Sequence, residues 1–200
     1  TIPEAHAVSA AIGFGGAAAG AGASSTNSVT RITEAYVRNG SDARALAGLM
    51  TIEAHDRVDT TADVNANAAS GSVVALAAGV ALADTSNTST TTASVENSTA
   101  ESGGGDLLID ADSVQGSGDV ITSADASGVA LGLISGATVG ARAVENISSD
   151  VVAFATGANL IAGGALKVDA DSDHDATPFV QGFAASFGGS ISLSLIHISE

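Results

Sequence analysis

Residues 51–69 read TIEAHDRVDTTADVNANAA, and their alternation decides the fold class. Every odd-numbered position from Thr51 to Asn67 is polar. The even-numbered positions are apolar apart from Asp56 and Thr60. Alternation of this length is typical of an extended strand, or of two strands in line, with one dry face. We therefore predict that residues 51–69 form extended strand with the even-numbered side chains inward.

The next stretch alternates between large and small side chains. Its small face carries Ala75, Ala77, Gly79, Ala81 and Ala83. The opposite face carries Val74, Leu76, Ala78, Val80 and Leu82, of which all but Ala78 are large. A strand of this kind suits burial on both faces, with a second layer approaching closely.

Helix is the alternative for the alanine-rich stretches, because alanine is the best helix former. Glycine recurs through these stretches, and the usual helix-forming partners of alanine are sparse. Phe179, Phe183 and Phe187 are spaced as on one helix face, but they also share one face of a strand. Only two prolines interrupt the chain. Strand is favoured throughout.

Short motifs recur along the chain at a nearly constant spacing. TIEA at 51–54 returns as LIDA at 108–111 and as KVDA at 167–170. AYV at 35–37 returns as ASV at 93–95, and Asn27, Asn87 and Asn146 follow similar steps. Recurring units that cannot bury their own dry face bury it against the next unit. We therefore expect Ile52, Ile109 and Val168 to lie in one column, at one strand spacing or, if each unit makes two coils, at two.

The predicted fold is all-β. It is a parallel β-solenoid (β-helix) built from degenerate repeats of about 58 residues, each with two or three long strands. The solenoid fragment covers residues 1–192, with units at approximately 1–49, 50–106, 107–165 and 166–192.

Residues 193–200 form a separate tail. They read LSLIHISE, which resembles the translation of a sequencing-library adapter. The alternative is a genuine short strand, since Ile191, Leu193 and Leu195 alternate with serine. On the adapter interpretation, His197 carries no functional weight. The chain starts at Thr1 without a recognisable signal peptide, so we expect an internal fragment of a longer protein whose open ends favour association.

Composition excludes several partner classes. The chain holds 41 alanines and 24 glycines, and only 3% of its residues are aromatic, so a thick core of large side chains is not expected. With 22 acidic and 6 basic residues, its net charge of −16 repels nucleic acids and anionic lipids. Glycine and serine dilute the most apolar stretch, so no membrane span is predicted. No cysteine is present.

Two groups of polar residues are candidates for chemistry. Asp169, Asp171, Asp173 and Asp175 line one strand face and could hold calcium, or they form a solvated acidic face. His55 shares its face with Glu53, Arg57 and Asp59, which imitates a hydrolase cluster but also fits an exposed ladder of charges. Known catalytic motifs are absent from the sequence. We assign no catalytic, cofactor-binding or metal-ligating residue.

The sequence resembles the repeat region of large bacterial filamentous adhesins of the haemagglutinin and leukotoxin-like type. The matching pieces are Gly104–Leu107 leading to Ile109–Ala111, Gly163–Leu166 leading to Val168–Ala170, and Ala35–Val37. The resemblance implies a structural stalk or adhesive segment, extracellular or on the bacterial cell surface, without catalysis or cofactor. Its implied partners are neighbouring repeats of the parent chain and host or environmental glycans or proteins.

A carbohydrate-active β-helix enzyme, either a polysaccharide lyase or a hydrolase, is the alternative function. Such an enzyme needs acidic and basic side chains clustered at one level of the helix. The six basic residues limit this possibility, since four of them precede residue 60.

Overall fold

The computed structural model describes residues 3–115 and 120–199, and these are almost entirely β-strand. Within these ranges, no helix is long and apolar enough to cross a membrane. The strands are β1 (Glu4–Ile12), β2 (Gly16–Arg38), β3 (Asp42–Ala45), β4 (Met50–Val58), β5 (Thr61–Gly71), β6 (Val74–Glu96), β7 (Thr99–Ser102), β8 (Leu107–Gln115), β9 (Val120–Thr156), β10 (Asn159–Ala162), β11 (Leu166–Asp173) and β12 (Ala176–Ser199).

All strand pairs among the described residues are parallel, and they form three sheets. The largest has the order β1-β5-β9-β6-β2, with β12 also paired to β9. The other two are β3-β7-β10 and β4-β8-β11. Because β9 is long, its first half pairs with β5 and its second half with β6. The all-β, parallel part of the prediction is confirmed.

The expected column of aliphatic residues is present. Ile52 lies opposite Ile109, and Ile109 lies opposite Val168, on hydrogen-bonded neighbouring strands. Ala35 likewise lies opposite Ala93. The sequence spacing therefore corresponds to one strand spacing rather than two.

Before β5, the strand that pairs with β1, the chain forms three long strands, β1, β2 and β4, and the four-residue strand β3. The expected two or three long strands in each unit therefore agree with the structure, whereas one detail of the predicted unit is wrong. The asparagines do not align, because Asn27 lies opposite Thr85 and Asn87 opposite Ile147. The register between strands follows the alternation of buried and exposed side chains. Asparagines with similar spacings in the sequence therefore do not lie opposite one another.

The alternation predicted for residues 51–69 is confirmed. The even-numbered side chains are buried along β4 and β5, including Val58 and Val64. Asp56 and Thr60, which break the apolar pattern, are buried as well. Within residues 51–69, only residues 59 and 60, which lie between β4 and β5, are not part of a strand.

The large sheet has two facing arms, one formed by β1, β5 and the first part of β9 and the other by β2, β6 and the rest of β9. The hydrophobic cluster between these arms is made almost wholly of alanine. Ala66, Ala77, Ala126 and Ala137 belong to this core, with Val64 and Val139 among its few larger members. A second core, with Ile52, Leu107 and Ile109, lies against the two small sheets. Small side chains let the facing layers approach closely, as the composition requires.

The prediction that both faces of residues 74–83 are buried is wrong. The small face is buried, but Val74, Leu76, Val80 and Leu82 on the other face are 40–56% exposed. At residues 74–83 the gap between the layers is narrow and is filled from β6 by alanine and glycine, so the large side chains of this stretch point outward. Phe179, Phe183 and Phe187 share one outward strand face, as expected of a strand.

The proposed tail continues β12 alongside β9. Leu193 lies opposite Thr138, and Leu195 lies opposite Gly140. Thr1 and Ile2 of the first unit and Glu200 of the tail lie outside the described residues. The adapter origin of the tail stays a prediction.

Candidate functional site

Carboxylates collect on the outer surface of the β4-β8-β11 sheet. One rank across its strands holds Glu53, Asp110 and Asp169. The next rank holds His55, Asp112 and Asp171. Neighbours in a rank are about 4.8 Å apart, so like charges stand close together. These six residues are called the acidic face below.

Two basic side chains contact carboxylates of this face. His55 Nδ1 lies 3.0 Å from Asp112 Oδ2, and Lys167 Nζ lies 2.5 Å from Asp169 Oδ2. The hydrogen bond to Asp169 raises the pKa of Lys167, and the charges of nearby aspartates raise it further. These pairs are largely exposed, so they set the local field more than they stabilise the fold.

The structure does not gather the four C-terminal aspartates into a cation site. Asp169 is paired with Lys167, and Asp171 accepts a hydrogen bond from the backbone amide of Ser172. The amide of Asp175 donates to Gln115 Oε1 at 2.6 Å, beyond the end of β11. Across residues 3–115 and 120–199, no three histidine, aspartate or glutamate side chains are grouped so as to hold a metal ion.

The residues around His55 lie on one exposed face, as predicted, but they form no hydrolase constellation. Arg57 Nε lies 3.4 Å from Asp59 Oδ2, while His55 pairs with Asp112 on the neighbouring strand. Sequence reasoning had not connected His55 with Asp112, because the two are joined only by the parallel register. The arrangement is a surface ladder of opposite charges.

A buried ion pair lies on the opposite side of β4. Arg31 Nη2 is 3.2 Å from Asp56 Oδ2, and Asp56 is only 5% exposed. Arg31 Nη1 also donates to the backbone carbonyl of Arg57. In the sequence Asp56 breaks the dry face of residues 51–69, but nothing in the sequence identifies its partner on β2.

Glu145 is a second buried charge that sequence reasoning missed. It is 2% exposed and stands in an inward rank with Thr85 and Asn27. Burial raises the pKa of Glu145 to about 7; a backbone hydrogen bond from Thr177 opposes this shift, and the charge of Asp175 adds to it. The alternation along β9 is the signal that could reveal Glu145. Glu145 and the buried Val139 are both odd-numbered, so they lie on the same inward face of the strand.

Glu145 borders a polar cavity of about 430 Å³ that also includes Ser149, Ser172 and His174. His174 Nε2 lies 3.1 Å from Ser113 Oγ, which in turn lies 3.4 Å from Ser89 Oγ. Ser113 is fully buried, so this serine–histidine contact offers no nucleophile to a substrate.

Comparison with protein-family models, with curated proteins and with solved structures found no match to this chain.

Proposed function

We propose that this chain is a segment of a parallel β-solenoid with degenerate repeats of about 58 residues, serving as a structural stalk or adhesive region. Its parent is a large secreted or surface-exposed bacterial protein, and the segment performs no catalysis. Its partners are neighbouring repeats and host or environmental glycans or proteins.

The observation that carries this proposal is the register between successive strands. β1 to β4 pair in order with β5, β6, β7 and β8. Paired residues are 57 to 59 positions apart in the sequence. β5, β7 and β8 pair in turn with β9, β10 and β11. A unit that recurs in this way extends a rod without needing a separate core, which is what a stalk requires.

The acidic face suits an adhesive role. It presents carboxylates in ranks that would continue as further units are added, and they face outward. Such a surface attracts basic groups on partner molecules and repels anionic ones.

The same face is the observation that favours the alternative, a carbohydrate-active β-helix enzyme. It brings Glu53, Asp110 and Lys167 onto one exposed sheet, as lyases and hydrolases require. However, Lys167 and His55 are each engaged by an aspartate, and the face is a sheet surface. We therefore favour the stalk.

Incubation with a panel of polysaccharides separates the two functions. We expect no release of reducing or unsaturated sugar ends from any of them. Cleavage that disappears in both Asp110→Asn and Asp112→Asn variants, with folding retained by circular dichroism, would establish the enzyme instead.

For location, antibodies against the chain should label intact source cells. Labelling only after lysis would contradict surface exposure.

A further inference from the structure

Large apolar side chains project into solvent where each unit bends from one arm of the large sheet to the other. The bends lie between β1 and β2, between β5 and β6, and near Gly132 in β9. Backbone hydrogen bonds join successive bends, from Ser72 N to Leu131 O and from Ile134 N to Val73 O. The bends therefore stack into one continuous edge.

The exposed side chains at this edge are called the apolar ridge. Phe14 is fully exposed, and Leu133 is 75% exposed. The ridge consists of Ile12, Phe14, Val73, Leu131, Leu133 and Ile134. Exposed apolar surface this continuous is uncommon on a monomer and marks an interaction site.

A groove of about 630 Å³ lies beside the ridge on the outer surface of β2, β6, β9 and β12. Large and small residues alternate across it, because Leu76 stands between Ala18 and Gly136, and Gly136 stands beside Ile191. The small residues form its floor, while Leu76 and Ile191 form its walls. Ile191 precedes the proposed tail, and Leu193, the first residue of that tail, lines the groove as well.

The distribution of charge on the chain bears on what can bind at the ridge and the groove. The residues of the ridge and the groove named above are uncharged, whereas the chain as a whole carries −16. The acidic face belongs to the β4-β8-β11 sheet, so two copies meeting at the ridge keep their most acidic surfaces out of the contact.

The area is sufficient for pairing of two copies. The uncharged segments 16–23, 74–81, 134–141 and 189–196 lie side by side on four neighbouring strands. Eight residues along each strand, at about 3.3 Å per residue and about 4.8 Å between strands, present roughly 500 Å². Two such surfaces bury about 1,000 Å² in total, the lower bound for a specific interface. In a two-fold dimer, the ridge of each copy can fit the groove of the other copy, because both features lie on the same face.

We propose that this face is a self-association site, at which the apolar ridge of one copy occupies the groove of a second copy. This side-by-side contact is independent of the stacking of units along the solenoid. The proposal can therefore fail while the proposed function stands.

Sedimentation equilibrium of the whole chain tests it with a matched pair of variants. Leu133→Glu places a carboxylate on the ridge, and Leu46→Glu places one at a 90% exposed site between β3 and β4. We expect a wild-type dimer. Leu133→Glu should weaken it at least about 30-fold, because two unpaired charges become buried, and Leu46→Glu should leave it unchanged. A monomeric wild type, or equal effects of the two variants, would overturn the proposal.

Cysteine cross-linking gives a readout that does not depend on a disruptive charge. The chain has no cysteine, so Leu133→Cys and Ala78→Cys each introduce a single thiol, one on the ridge and one in the groove. An oxidised mixture of the two should yield mixed covalent dimers, and a mixture of Leu46→Cys with Ala78→Cys should not. Open-ended oligomers insensitive to Leu133→Glu would contradict the proposal, as would a monomer that binds phosphatidylcholine vesicles through the ridge.

Discussion

Gly79 on β6 faces the backbone carbonyl of Ser127 across the interior of the large sheet. A β-carbon placed on Gly79 would lie 2.6 Å from that carbonyl oxygen and 3.2 Å from the carbonyl oxygen of Ala66. Real β-carbons do not approach an oxygen this closely. The two layers are therefore nearer to each other than any side chain other than hydrogen permits at this point.

Gly79→Ala should force the layers apart and lower the free energy of unfolding by about 2 kcal/mol, as overpacking does in a tight core. Gly20→Ala is the matched control, because a β-carbon on Gly20, on the outer face of β2, meets no atom within 4 Å. Urea denaturation should show this contrast. Equal stability of the two variants would mean that the layers can separate without cost.

The aliphatic column of Ile52, Ile109 and Val168 allows a second comparison. Its members lie opposite one another on neighbouring strands but differ in how deeply they are buried. Ile109 is fully buried between Ile52 and Val168, whereas Val168 is about half exposed. Ile109→Ala should cost about 2–5 kcal/mol, and Val168→Ala should cost clearly less. Thermal and urea unfolding measure both. A larger loss for Val168→Ala would place the core elsewhere.

The buried ion pair predicts strongly non-additive behaviour. Arg31→Ala leaves the carboxylate of Asp56 buried without its cation, which should cost about 3–5 kcal/mol. Replacing both residues, as Arg31→Met with Asp56→Leu, should recover most of that loss. A double-mutant cycle on unfolding free energies supplies the coupling. Simple additivity would show that the pair makes no effective contact.

Much of this architecture could be predicted from local pattern alone. The alternation from Thr51 to Asn67 located one buried face, and the motif spacing placed Ile52 against Ile109. Pattern did not reveal which face of residues 74–83 points inward, because that depends on how closely the facing layer approaches. The partnership of Arg31 with Asp56 was also hidden, since it joins strands far apart in sequence.

Glu145 makes stability depend on pH with a defined sign. Its pKa is raised from 4.5 to about 7 in the folded chain, so the folded state binds more protons than the unfolded state between these values. Its contribution is complete below about pH 4.5 and is lost as the pH rises through 7, a change of roughly 3 kcal/mol.

Glu145→Gln isolates this effect from other titrating groups. The variant should gain stability over the wild type at pH 8 and lose that advantage at pH 4.5. Denaturant titrations across the pH range measure the difference between the two proteins. A difference that does not vary with pH would mean that Glu145 is not buried as a titrating group. Asp125, whose pKa is raised by burial and by the charge of Asp63, serves as background common to both.

The parallel register is the central claim, and an engineered disulfide tests it most directly because the chain has no cysteine. Glu53 and Asp110 lie opposite each other on β4 and β8, at a separation of about 5 Å that suits a disulfide. Oxidation of the Glu53→Cys, Asp110→Cys pair should give a monomeric, intramolecular bond. The Glu53→Cys, Asp112→Cys pair is displaced by two residues, to about 8 Å, and should remain reduced. Preferential bonding of the displaced pair, or bonding of neither, would contradict the register on which the solenoid rests.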